Sequence, residues 1–157
     1  KVVAFCRERN LFVSVDPKEK HFDYYRGVDI ITPNLRETHT ALGLPFGRCD
    51  ERRVAELGKT LMERLDLSSL LMTLSERGMA LFDRKGGSCV RLPTVARNVY
   101  DVTGAGDTVV AIYTLAVTSG ATPVEAASLA NHAAGITVAR MGTASVEPAE
   151  IITEFLS

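Results

Sequence analysis

The stretch Asp101-Val102-Thr103-Gly104-Ala105-Gly106-Asp107-Thr108 carries the densest chemical information in this sequence. Two glycines flank one alanine directly before an apolar run of helical character. Small residues let a backbone approach a ligand closely, and the first N–H groups of a helix have no partners inside it. With the positive end of the helix dipole behind them, such amides make an anion site. Asp107 falls in the first turn, facing whatever anion those amides hold. A carboxylate there repels the anion unless it serves the chemistry, and accepting a proton from an attacking hydroxyl is such a service. The competing reading is a tight Gly-Ala-Gly turn followed by an aspartate that favours a helix N-terminus. The local pattern leaves both open.

Four further positions have side chains suited to a site. Asn34 with Glu37 three residues later has the spacing of a capping box, an asparagine cap answered by a glutamate. Asn131 is polar within a helix of small residues, including Ala126, Ala127, Ala130, Ala133, Ala134 and Gly135. Small residues of that kind suit close packing on a sheet, whereas a lone amide among them can border a flat ligand. Lys18 ends an apolar run and reads equally as a phosphate contact or a solvated lysine. The run Asp50-Glu51-Arg52-Arg53 reads as a solvated helix start.

These positions need a scaffold. Val2–Arg9 has the pattern of a helix, and Leu11–Val15 and Val28–Thr32 that of short strands closed by Pro17 and Pro33. Asn34–Gly43 and Asp50–Leu67 follow as helices, the second with Val54, Leu57, Leu61, Met62 and Leu65 on one face. Leu70–Leu74 reads as a strand, and Met79–Asp83 with Cys89–Leu92 as a hairpin around Lys85-Gly86-Gly87. Ala105–Ser119, Pro123–Arg140 and Pro148–Phe155 are helices. Short apolar strands alternating with helices predict an α/β layered domain with a mainly parallel sheet.

Composition narrows the function classes. A net charge of −1 over 157 residues speaks against nucleic acid or an anionic membrane surface as partner. No apolar run reaches the roughly 18 residues of a membrane helix, and the start does not resemble a signal peptide. Cys6, Cys49 and Cys89 lack a paired spacing, which predicts buried thiols rather than disulfides or a zinc site. His21, His39 and His132 are scattered and read as surface or packing residues. A cytoplasmic protein fits these features. The chain starts with Lys1 inside a helical pattern, which suggests a fragment of a larger domain.

The segment from Asp101 to Thr108 closely resembles the C-terminal motif of the ribokinase-like (phosphofructokinase B) carbohydrate kinases. The resemblance continues through Ala130-Asn131-His132-Ala133-Ala134-Gly135 and Gly142-Thr143. Upstream, Asp16-Pro17-Lys18, Thr32-Pro33-Asn34-Leu35-Arg36-Glu37 and Thr73-Leu74-Ser75-Glu76-Arg77-Gly78-Met79 fall in family order. Within the family these motifs look most like the heptose 7-phosphate kinases of ADP-heptose synthesis, in which a nucleotidyltransferase is often fused to the kinase.

The resemblance implies a ribokinase-like three-layer α/β/α fold and a reaction, the ATP-dependent phosphorylation of a sugar hydroxyl. The acceptor it points to is the anomeric hydroxyl of D-glycero-D-manno-heptose 7-phosphate. It makes Asp107 the catalytic base and the amides of Gly104, Ala105 and Gly106 the anion hole. It places Asn34, Leu35, Arg36 and Glu37 at the nucleotide phosphates, with Glu37 organising Mg2+ indirectly. Thr73, Ser75 and Gly78 lie along the nucleotide, and Asn131 borders the adenine. Ser75 stands where many members have glycine, so Gly78 is the better contact. Asp101 and Thr103 correspond to a region that binds a monovalent cation, such as K+, in some relatives. Residues 1–157 then form the C-terminal, nucleotide-binding part of a kinase domain, inactive without the missing N-terminal half and able to self-associate. Two alternatives stay open: a kinase of another sugar (ribose, fructose or a phosphorylated hexose), and a non-catalytic nucleotide-binding or regulatory module.

Overall fold

The computed structural model describes every residue except Glu19, Lys20, Ser88, Arg97 and Ser157, and all of Leu156 but its side chain. The chain runs through α1 (Val2–Glu8), β1 (Ser14–Val15), a 3-10 turn (Phe22–Tyr25) and β2 (Ile30–Ile31). Then follow α2 (Leu35–Ala41), α3 (Glu51–Leu65), β3 (Ser69–Thr73), a second 3-10 turn (Ser75–Arg77), β4 (Met79–Asp83) and β5 (Cys89–Leu92). The last third is helical: α4 (Ala105–Thr118), α5 (Pro123–Val138) and α6 (Pro148–Leu156).

The strands form one five-stranded sheet in the order β1-β2-β3-β4-β5. The β1–β2 and β2–β3 pairs are parallel, β3–β4 and β4–β5 antiparallel. The sheet is thus evenly mixed, where the alternation of strands and helices predicts a mainly parallel one. The reason is the length of the connections. Residues 32–68 carry two helices between β2 and β3 and permit a parallel crossover, but the few residues joining β3 to β4 permit only antiparallel return.

Alternation along each strand divides the core between two faces. Ile31, Leu70, Met72, Ala80 and Phe82 pack with Val54, Leu57, Leu61 and Leu65 of α3. Ile30, Leu71, Met79 and Leu81 pack with Val109 and Tyr113 of α4 and the alanines of α5. The α/β/α layering follows directly from that period-two pattern.

Helix ends obey their local chemistry. The Asp50 side chain accepts from the Arg53 N–H, and α3 ends at Asp66 in the left-handed conformation, φ 52°. Replacing Asp50 by alanine is expected to cost about 1 kcal/mol of stability, read by urea unfolding, because an orphan amide loses its acceptor. Pro123 opens α5 behind a Thr122–Glu125 capping box. The predicted strands are longer than the observed β1 and β2, although hydrogen bonds from Asp29 and Ile30 to the Val13 carbonyl prolong the pairing. The three cysteines are free and only partly buried, against the expectation of buried thiols. Among the histidines, His39 is buried and His21 exposed. Among the described residues, no helix is long and apolar enough to cross a membrane.

Candidate active site

The site gathers where β1, β2 and β3 end and α4 begins. Gly104 caps α4 at φ 82°, a conformation that L side chains adopt rarely. The Ala105 N–H turns back to the Val102 carbonyl at 3.2 Å, and the Gly104 carbonyl accepts from both the N–H and the hydroxyl of Thr108. The N–H groups of Gly106 and Asp107 donate to no described residue, so they face outward from the helix start. Asp107 is exposed and makes no hydrogen bond or ion pair with a described residue.

Asp16, at the end of β1, comes up beside this helix start. Its Oδ1 lies 3.7 Å from where a Cβ on Gly106 would sit, and its Oδ2 accepts from Lys18 Nζ at 2.9 Å. The bond to Asp16 is the main reason that the Lys18 ammonium is held above its ordinary range, and the negative charges of Glu37 and Asp107 add to it. Only Asp16 contacts the ammonium directly. The motif Asp16-Pro17-Lys18 is legible in the sequence, but the approach of Asp16 to Gly106 is not.

Asn34 and Glu37 make a true capping box: Asn34 Oδ1 accepts from the Glu37 N–H at 2.8 Å, and Glu37 Oε2 accepts from the Asn34 N–H at 2.8 Å. The cap is tied to β3 by the Thr73 N–H, which donates to the Pro33 carbonyl at 2.9 Å. Leu35 packs into the core, and the Arg36 guanidinium lies 4.6 Å above the Phe46 ring.

A cleft of about 480 Å³ opens beside the helix start. Thr73, Ser75, Gly78, Ala105, Gly106 and Asn131 all line it. The structure therefore brings together residues from three separate motifs. Gly78 has φ 78°, and a Cβ there would lie 2.1 Å from the Leu92 carbonyl oxygen. Ser75 is also left-handed, at φ 55°. Asn131 donates from Nδ2 to the Pro93 carbonyl at 2.7 Å, so its amide holds the residues after β5 against the cleft. Val99, Val102, Ala134 and Val138 add an apolar wall, of which sequence reasoning named Val102 and Ala134 but neither Val99 nor Val138. Its one visible signal is the apolar residues just before the glycine motif.

Asp101 joins two loops at the far side of the helix start. Its Oδ1 accepts from the Thr103 N–H at 2.9 Å and its Oδ2 from the Gly142 N–H at 3.0 Å. Hydrogen bonds from Thr103, and then from Gly142, hold its carboxyl below the ordinary aspartate value. Because the folded value is the lower one, this contribution to stability is present above the unfolded value. It is lost as pH falls through the folded one. Asp101→Asn, which keeps only one of the two acceptors, is therefore expected to lower the melting temperature at neutral pH and to flatten the acid limb of a thermal-unfolding profile.

Residues 5–150 match the model of the pfkB family carbohydrate kinases. The chain belongs to that family. It is 45% identical over 152 residues to the bifunctional protein HldE of Geobacter sulfurreducens, covering 97% of this chain and 30% of that protein. Among solved structures, an Arabidopsis thaliana ribokinase complexed with ribose and ATP superposes with a TM-score of 0.82 at 23% identity. That match covers 98% of this chain and 50% of the other. The phosphofructokinase-2 of Escherichia coli in complex with potassium gives 0.85 at 14% identity, over 99% of this chain and 50% of the other. These two likenesses establish the ribokinase-like fold. The chain thus spans about a third of the length of the curated relative and half that of the structural neighbours.

Proposed function

We propose that this chain is the C-terminal, nucleotide-binding half of a sugar kinase domain, and that the whole protein transfers the terminal phosphoryl group of ATP to the anomeric hydroxyl of D-glycero-D-manno-heptose 7-phosphate. One observation carries the chemical reading. An exposed carboxylate, Asp107, stands in the first turn of a helix whose outward amides adjoin a cleft sized for a nucleotide. The choice of heptose rests on the likeness to HldE.

In this reading Asp107 accepts the proton of the attacking sugar hydroxyl. Phosphoryl transfer is chiefly a matter of positioning and charge neutralisation, so the proton need leave only as the new bond forms. The amides at the start of α4 hold the oxygens that gain negative charge. Thr73, Ser75, Gly78 and Asn131 line the cleft for the nucleoside. Asn34, Leu35, Arg36 and Glu37 form the segment beneath the phosphates.

In this reading Mg2+ enters with the nucleotide. Oxygen ligands are what a small hard cation takes, and among the described residues no three acidic, histidine or cysteine side chains are grouped to hold a metal ion, so the phosphate oxygens themselves would be its main ligands. Magnesium bound with the nucleotide would neutralise its phosphates, with Glu37 organising it indirectly. Asp101 and Thr103 would hold a potassium ion at the neighbouring loop, in line with the potassium of the phosphofructokinase-2 structure.

The test is a panel of acceptors given to the full-length protein with Mg·ATP, followed by coupled detection of ADP. Heptose 7-phosphate is expected to give the highest kcat/KM; a higher value for ribose, fructose or a phosphorylated hexose would overturn the substrate assignment. Residues 1–157 alone are expected to bind nucleotide weakly and release little ADP.

A further inference from the structure

Thr32 stands at the end of β2, is 3% exposed, and its hydroxyl has no hydrogen-bond partner among the described residues. A buried hydroxyl without a partner costs about 1–3 kcal/mol, so its retention calls for a use. The register of the sheet says where it lies. Ser14 of β1 pairs with Ile30 of β2 in parallel, and the Thr32 N–H donates to the Val15 carbonyl at 3.0 Å. Two residues further on, Asp16 and Thr32 are neighbours across the same pair of strands. They also share a face. Ser14 Oγ contacts Thr114 of α4, and Ile30 packs beneath α4, so the next residues of that phase, Asp16 and Thr32, lie under its first turn. Asp16 has a matching vacancy of its own. Its Oδ2 is engaged by Lys18, while Oδ1, the oxygen near Gly106, accepts from no described residue.

A buried hydroxyl without a partner thus stands at the register position across from Asp16, whose Oδ1 comes up beside Gly106 and accepts from no described residue. We infer that Thr32 is a positioning residue for Asp16: its hydroxyl donates to the Asp16 carboxylate and fixes it when Lys18 turns from Asp16 toward the phosphates of a bound nucleotide. Buried as it is, the hydroxyl touches no ligand and acts only through Asp16. The inference rests on the nucleotide site proposed above.

The experiment uses the full-length protein with three variants, Thr32→Val, Thr32→Ser and Asp16→Asn, and the double variant Asp16→Asn/Thr32→Val. Valine keeps the shape and removes the unpaired hydroxyl, so unliganded Thr32→Val is expected to melt no lower than wild type. Its half-saturating Mg·ATP concentration is expected to rise about tenfold, as for loss of a hydrogen bond to a charged group. The thermal shift produced by Mg·ADP should shrink in parallel, and Thr32→Ser should restore both. In the Asp16→Asn background the valine substitution should have no further effect on either readout. Wild-type saturation and thermal shift in Thr32→Val, or an unchanged penalty in the Asp16→Asn background, would overturn the inference. An Asp107→Asn control separates the two claims: full activity in that variant would sink the catalytic reading itself, whereas an inactive control beside a normal Thr32→Val would sink the role of Thr32 alone.

Discussion

Asp107→Asn in the full-length protein is expected to lower kcat by about 10²–10⁴-fold, the usual worth of a positioned general base. The amide keeps the size and the exposed position of the carboxylate but cannot take up a proton. The Asp107 carboxylate makes no hydrogen bond or ion pair with a described residue, so the fold draws from it only the small first-turn charge–dipole term. The melting temperature should stay near that of wild type, and KM for ATP should change little, since the loss falls on an interaction made only as the hydroxyl attacks. Removing one negative charge beside the outward amides should, if anything, tighten nucleotide binding. Steady-state kinetics with both substrates varied reads all three quantities. A variant that kept its rate would remove Asp107 from the chemistry and leave a nucleotide-binding module in its place.

The second large effect concerns stability. Gly78 closes the turn between β3 and β4 at φ 78° and ψ −129°, outside the range of L side chains. A methyl group there would also meet the Leu92 carbonyl oxygen at 2.1 Å and the Thr94 nitrogen at 2.5 Å, both backbone atoms that cannot step aside alone. Strain and overpacking together are expected to cost about 3–5 kcal/mol in Gly78→Ala. For a domain of this size that lowers the melting temperature by roughly 10 °C. Because Gly78 and Thr94 both line the cleft, nucleotide affinity should fall with stability. The same substitution at Gly43, where a Cβ has open space but φ is also positive, should cost less; scanning calorimetry of the two variants compares them directly.

The contrast between these positions explains what a sequence can reveal here. The start of α4 is legible because glycine, alanine and aspartate act through local backbone geometry, contained within a few residues. Asn34 with Glu37 is legible for the same reason, and the capping box forms as its spacing requires. That cap and a phosphate role are compatible, since the box fixes the side chains at the end of β2 beside Thr73. Non-local approaches are different. Nothing near Asp16 announces Gly106, because the contact depends on how β1 docks beneath α4. The apolar wall of Val99, Val102, Ala134 and Val138 likewise joins two distant segments, each of which reads alone as ordinary hydrophobic sequence. Asn131 shows the limit from the other side. Its burial among alanines is expected, but its bond to the Pro93 carbonyl appears only once β5 is laid against α5. The mixed character of the sheet was likewise set by connection length rather than by the apolar pattern of the strands.

The measurement that bears most directly on the account is phosphorus NMR of the full-length protein turning over Mg·ATP with D-glycero-D-manno-heptose 7-phosphate. The account predicts a new resonance from an anomeric phosphate, appearing in step with ADP and absent from the Asp107→Asn variant. ADP without a sugar phosphate, a phosphate on a hydroxyl other than the anomeric one, or the same product from the Asp107→Asn variant would contradict it.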